Sequence, residues 1–162
     1  MRRGLLSLDD PMLAETITPD VIKRLGDTFA NRNPAALARS RESNAAQQRS
    51  LAKLNAAGVT IALGDDTGVQ DNFYGYTEHR ELELMVAAGM TPAQVIVAAT
   101  RTPADLLRYK QLGAVAVGKS ADFLILDAKP LDNIANTKKI SKVYLRGQEL
   151  DRAAMRAAWT RP

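Results

Sequence analysis

The sequence contains no cysteine and a single histidine, His79. Without cysteine there are no disulfides, no zinc thiolates and no thiol nucleophile, which accords with a reducing, cytoplasmic setting. Aromatic residues are scarce, at 5%, so a core must be assembled mainly from Ala, Leu, Val and Ile. No apolar run approaches the roughly 18 residues that a membrane span requires, so no membrane partner is expected. Met1-Arg2-Arg3 resembles the start of a targeting segment, but Asp9 and Asp10 interrupt the stretch that follows before an apolar core develops.

Charge excludes another class. The formal net charge is +4, but the Lys and Arg residues are spread along the chain and do not alternate with aromatic stacking residues. A solvated surface explains them, and no nucleic-acid partner is expected. What remains, a 162-residue chain with 46% hydrophobic and 25% charged residues, fits one globular domain rather than two.

Helix starts are legible. Four times a capping residue precedes a proline: Thr18-Pro19, Asn33-Pro34, Thr91-Pro92 and Thr102-Pro103. Proline suits the first helical position, where its missing N–H would have had no partner, and the preceding Thr or Asn can cap the free N–H groups. The first of these helices carries Val21, Ile22, Leu25 and Phe29 on one stripe. A second is predicted from Pro34 towards Ala57, with Leu37, Leu51 and Leu54 inward and Gly58 as its stop. Val59 to Leu63 then reads as a short strand buried on both faces, of the parallel-sheet kind. A polar turn, Gly64-Asp65-Asp66-Thr67-Gly68, ends it. Leu82, Met85, Val86 and Gly89 mark the next helix, and two shorter helical pieces cover 92–100 and 103–109. After Gln111 the texture changes to short apolar segments at 114–117, 122–126 and 140–145, separated by turn signals, which predicts a small antiparallel region. Residues 152–159 read as a terminal helix. Gly4–Leu8 is a weaker strand candidate. One parallel-type strand without a visible partner of its own kind is an odd inventory for a self-contained fold.

The turn at 64–68 is the sharpest chemical segment. In parallel α/β architectures, functional side chains sit where strands run out into loops. A carboxylate there can hold a divalent metal, accept a proton from water, or both. On spacing alone, the competing reading is an Asp-Gly turn in which Asp65 or Asp66 caps the next element. Two other motifs carry less. Gly113-Ala-Val-Ala-Val-Gly118-Lys119-Ser120 satisfies the nucleotide P-loop pattern literally, yet it is preceded by a helical segment and followed by a strand, the reverse of a functional P-loop. Gly64-Asp65-Asp66 also matches a polymerase hairpin, but an irregular loop, not a second strand, follows it.

The longer segments resemble the amidohydrolases, in particular the imidazolonepropionase- and prolidase-like branch. The resemblance rests on Gly58-Val-Thr-Ile-Ala-Leu-Gly-Asp-Asp-Thr-Gly68, His79-Arg-Glu-Leu-Glu-Leu-Met-Val-Ala-Ala-Gly-Met-Thr-Pro92 and Ala98-Ala-Thr-Arg-Thr-Pro-Ala-Asp-Leu-Leu107. It continues through Leu112-Gly-Ala-Val-Ala-Val-Gly-Lys-Ser-Ala-Asp-Phe-Leu-Ile-Leu-Asp127 and the ending Asp132-Asn-Ile with Val143-Tyr-Leu-Arg-Gly-Gln. These pieces lie in the family's order between Ala56 and Leu150, whereas residues 1–55 match only loosely. The resemblance implies an α/β fold: the last strands and helices of a TIM-type (β/α) barrel over residues 1–110, part of a small β-sandwich over 111–150, and a terminal helix over 151–162. It places Asp66 as catalytic general base and as a metal ligand. Asp65 falls where the family usually has Thr or Ser, and adjacent extended residues point opposite ways, so Asp65 is expected to face elsewhere. His79 matches a histidine near the mouth of the site, substrate-proximal at most, and a capping or surface role outweighs ligation. Phe73, Tyr74 and Tyr76 either line a pocket entrance or pack beneath the loop, with packing favoured.

The same resemblance exposes what is missing. The family's first-strand His-x-His pair and its further histidines have no counterpart here. One aspartate cannot hold a catalytic zinc, which takes about three protein ligands plus water. A closed barrel takes roughly 250 residues, so the chain is expected to be a truncated product or fragment that begins at an internal methionine. Two functions follow. One is part of a hydrolase of C–N bonds (amide, cyclic amide or dipeptide), zinc being the implied divalent metal, inactive until a complementing N-terminal half supplies the other ligands. The other is a non-catalytic remnant or association module of the same ancestry, prone to self-association through open edges.

Overall fold

A computed structural model describes residues 2–3, 6–69 and 72–159. Strands β1 (Arg2–Arg3) and β2 (Leu6–Ser7) form a short antiparallel hairpin; the rest of the Gly4–Leu8 strand candidate includes residues 4 and 5, outside the described residues. Among the described residues seven α-helices follow: α1 (Pro11–Thr16), α2 (Pro19–Ala30), α3 (Pro34–Ala56), α4 (Thr77–Ala87), α5 (Pro92–Ala99), α6 (Arg101–Leu106) and α7 (Arg152–Trp159). Between α6 and α7 lie β3 (Phe123–Leu126), a 3-10 helix (Ile134–Lys138), β4 (Ile140–Leu145) and β5 (Gln148–Glu149). The strands β3-β4-β5 form one antiparallel sheet, with a register shift between Ile125 and Leu126.

Three of the four proline starts lie at the first helical positions of α2, α3 and α5. At α5, Thr91 and Gln94 form a full capping box, each side chain meeting the other's backbone N–H. Thr18 instead spends its hydroxyl on the Asp20 side chain. The fourth start moves: α6 opens at Arg101, so Pro103 lies inside its first turn. A further proline start, Pro11, is capped by Asp10, whose carboxylate accepts from the N–H of Met12.

Two apolar clusters hold the chain. In the larger, Leu82, Met85, Met90, Val95 and Ala98 of the α4–α5 unit pack with Ile134 of the 3-10 helix, and Leu51, Ile61 and Leu63 lean on it. The smaller joins Leu13, Phe29 and Tyr76, with Leu25 of the expected stripe against it. The long helix α3 follows its predicted bounds but buries no residue fully: Leu51 leans on the larger cluster, whereas Leu54, expected inward, is exposed.

The expected strand at Val59–Leu63 belongs to no sheet among the described residues. A strand is defined by its ladder, and of the described residues none supplies one: the Leu63 N–H reaches the Ala98 carbonyl at 2.8 Å, and no backbone bond is formed by Thr60, Ile61 or Ala62. Nor is the segment covered on both faces. Ile61, Leu63 and Asp65 are partly buried while Ala62, Gly64 and Asp66 are exposed, the two-residue alternation of a segment with one covered side. Segment 114–117 likewise forms no strand, and Val115 and Val117 stand in solvent.

Candidate active site

The alternation from Ile61 onward decides how the two adjacent aspartates divide. Asp65 shares the parity of Ile61 and Leu63 and turns inward. Its Oδ1 accepts from the Thr67 hydroxyl at 2.7 Å and the Thr67 N–H at 3.2 Å. Its Oδ2 is buried and meets no donor among the described residues. Glu81, on α4, is pushed up by burial and then by the charge of Asp65. The Oε2 of Glu78, in the first turn of α4, is also buried without a partner among the described residues.

Asp66 has the opposite parity and lies exposed at the crest of the turn. Its backbone is left-handed, with φ of 51°, a region that Asp tolerates better than most residues. The turn is closed from its far side by Asn72. The side-chain amide of Asn72 donates to the carbonyls of Asp65 and Asp66 at 3.1 and 3.4 Å, and the Asn72 backbone carbonyl accepts from the Gly68 N–H at 2.9 Å. Gly68 has φ of 93°, a left-handed conformation that side chains rarely adopt and glycine enters freely. Of the three aromatics that follow, Tyr76 is fully buried and Phe73 packs against the smaller cluster, as the packing reading expects, whereas Tyr74 is largely exposed.

His79 occupies a different network. Its Nδ1 lies 2.9 Å from the Thr137 Oγ1, and that hydroxyl gives its own hydrogen to the Ile134 carbonyl at 2.8 Å. The histidine must therefore donate from Nδ1, which leaves Nε2 as the unprotonated nitrogen of the neutral ring. Burial, then the nearby Lys138 charge, pushes His79 down. Lys138 itself bridges the Asp10 Oδ2 at 2.7 Å and the Glu83 Oε1 at 2.8 Å, and Glu83 Oε2 takes Arg80 at 2.6 Å. Asp66 and His79 share no hydrogen bond, so the fold does not join them in one hydrogen-bonded site. Lys119 is committed to the carbonyls of Lys110 and Leu112 at 2.9 and 3.0 Å, which removes the cation a phosphate loop would need.

Sequence reasoning passed over Glu81 and Lys138, and it turned Asp65 away, whereas Asp65 is the inward member of the pair and Asp66 the exposed one. The parity of Ile61 and Leu63 was a usable signal for Asp65. Lys138 carried none, because its partner Asp10 is 128 positions away.

A divalent metal does not fit the described residues alone. No three His, Asp or Glu side chains among them converge as a ligand set, and a catalytic zinc takes about three.

Comparison with known proteins places this geometry in a family. A model described as the amidohydrolase family matches residues 8–150. A 5-methylthioadenosine/S-adenosylhomocysteine deaminase of Halalkalibacterium halodurans is 31% identical over 81 residues, which is 46% of this chain and 18% of that protein. Among solved structures, a Bifidobacterium longum protein described as a prolidase superposes with a TM-score of 0.68 at 32% identity, covering 81% of this chain and 34% of that one. Phenylurea hydrolase B gives 0.60 at 30% identity, with 64% of this chain and 26% of that one covered. The chain thus spans about a third or less of the length of these relatives, and the sheets of the described residues are a two-stranded and a three-stranded one rather than a closed barrel. With the match running through the 64–68 turn, both apolar clusters and the antiparallel sheet, the chain belongs to the amidohydrolase family.

Proposed function

We propose that this chain is the part of a C–N bond hydrolase that supplies one reactive carboxylate, Asp66, to an active site completed by residues from outside the 162. The observation that carries this reading is the position of Asp66. It stands at the crest of a closed turn that follows Val59–Leu63, and no donor among the described residues engages its carboxylate. A carboxylate so held can take a proton from attacking water and return it to the leaving nitrogen. When a divalent metal is bound, it supplies Lewis acidity, and most of its donors have to come from elsewhere. Substrates of the amide, dipeptide or urea type are the class that the prolidase and phenylurea hydrolase likenesses support. His79 sits too firmly against Thr137 to serve as a ligand by Nδ1 and contributes, at most, a polar rim.

The test is direct. The purified chain is incubated with zinc or manganese, bound metal is counted by mass spectrometry, and hydrolysis of an aminoacyl-proline dipeptide and an N-aryl urea is measured for wild type and Asp66→Asn. The expected result is well under one metal per chain and no turnover. Near-stoichiometric metal on the isolated chain, lost in Asp66→Asn, would overturn the incomplete-site reading. Turnover that survives Asp66→Asn would overturn the role of Asp66.

A second reading, an association module without chemistry, draws on the exposed apolar side chains Leu106, Val115, Val117 and Leu131. It expects concentration-dependent assembly in sedimentation velocity and no hydrolysis in any assembled state.

A further inference from the structure

We propose that Asn72 is a positioning residue for Asp66: its side-chain amide clamps two successive carbonyls and so fixes the left-handed backbone that presents the Asp66 carboxylate. The functional consequence rests on the reading of Asp66 as the reactive carboxylate; the geometry does not.

The described part of the loop is closed by a small set of bonds, most of which lead to Asn72. Its amide nitrogen bonds the Asp65 carbonyl at 3.1 Å and the Asp66 carbonyl at 3.4 Å. Its backbone N–H donates to the Val69 carbonyl at 3.1 Å, and its backbone carbonyl takes the Gly68 N–H at 2.9 Å. The Asp66 carbonyl also takes the Val69 N–H at 3.1 Å. On the near side, Asp65 holds Thr67 through one carboxylate oxygen. A left-handed residue other than glycine persists only where its surroundings over-determine it. Asp66 has no side-chain bond of its own to do so among the described residues. The backbone carbonyls on either side of the Asp66 N–Cα unit are held, and among the described residues Asn72 is the one side chain that reaches both. A side chain with two N–H donors and the reach of Asn is required: Asp has the shape without the donors, and Ala has neither.

The experiment uses backbone NMR on the whole chain. The φ angle of Asp66 is read from its three-bond amide coupling, cross-correlated relaxation and carbon shifts, in wild type, Asn72→Ala and the isosteric Asn72→Asp. Wild type is expected to report a positive φ at Asp66 and slowed exchange of an Asn72 side-chain amide proton. Both variants are expected to lose the positive φ while the amide shifts of Val95 and Ala98 stay in place. Adding Asp66→Gly to Asn72→Ala should then restore protection of the Gly68 and Val69 N–H groups, because glycine enters the left-handed region without a clamp. Protection recovered in that way marks a backbone-positioning role, which loss of packing alone would not produce. A positive φ retained at Asp66 in either variant overturns the proposal, as do a negative φ in wild type and freely exchanging Asn72 amide protons. Should both variants unfold, the wild-type exchange measurement alone decides. None of these readings depends on hydrolysis, so failure of the clamp and failure of the Asp66 reading are separable.

Discussion

Glu81 is carried at a cost at neutral pH. Burial, then the charge of Asp65, raises its carboxyl above the ordinary range near 4.5, so the folded chain binds this proton more readily than the unfolded one. Stability from this group therefore grows as pH falls through its folded value, and above that value the penalty is complete. Replacing Glu81 with Gln should raise the melting temperature near pH 7, and the gain over wild type should shrink towards about pH 4; an equal gain at both would show the penalty is not ionic. His79 acts with the opposite dependence on acid. Burial and Lys138 lower it from 6.5, so below about pH 6.5 the unfolded chain takes up a proton that the folded one resists, and stability falls on acidification. His79→Gln keeps a donor for Thr137 and should flatten the melting-temperature profile between about pH 7 and pH 5.5.

At the scale of elements, Lys138 ties the 3-10 helix to α4 through Glu83 and to the start of α1 through Asp10. Lys138→Met would take a cation from two carboxylates that are each only about a fifth exposed. A loss of roughly 2 kcal/mol is expected, below the range for full burial because Arg80 still reaches Glu83; urea titration of the two proteins would measure it. Gly113 is a steric junction between α6 and the segment that follows. A Cβ there would lie 2.7 Å from the Ala104 Cβ and 2.9 Å from the Arg101 Cα, at a φ of 83°. Gly113→Ala should cost at least about 2 kcal/mol, visible in the same titration. Such elements differ in how readily a sequence declares them. Proline with a capping residue is a local signal, and α2, α3 and α5 start where it says. The terminal helix and β3–β4 also follow local patterns. A strand is not local: Val59–Leu63 has the right side chains and the right alternation, yet pairing depends on a neighbour the described residues do not contain. Legibility at the candidate site divides the same way. The turn itself was visible as Gly64–Gly68, while Asn72 and Lys138 act through loop closure and long-range pairing, which no spacing rule encodes.

At the scale of the whole molecule, two apolar clusters are connected by modest means. The smaller, around Leu13, Phe29 and Tyr76, is tied to the rest, among the described residues, by the Lys138–Asp10 pair at 2.7 Å, the exposed Arg156–Glu15 pair at 2.6 Å and the chain itself, where Tyr76 leads into α4. The covalent link that runs between α2 and the larger cluster is α3, 23 residues and about 35 Å of helix with no fully buried side chain. Arg39, Arg41 and Arg49 lie along it, exposed. Trypsin should therefore cut within α3 before it cuts α4 at Arg80. The two resulting pieces would remain together under native conditions and separate in denaturant, so this helix is a natural seam at which the chain can be divided and its halves recombined.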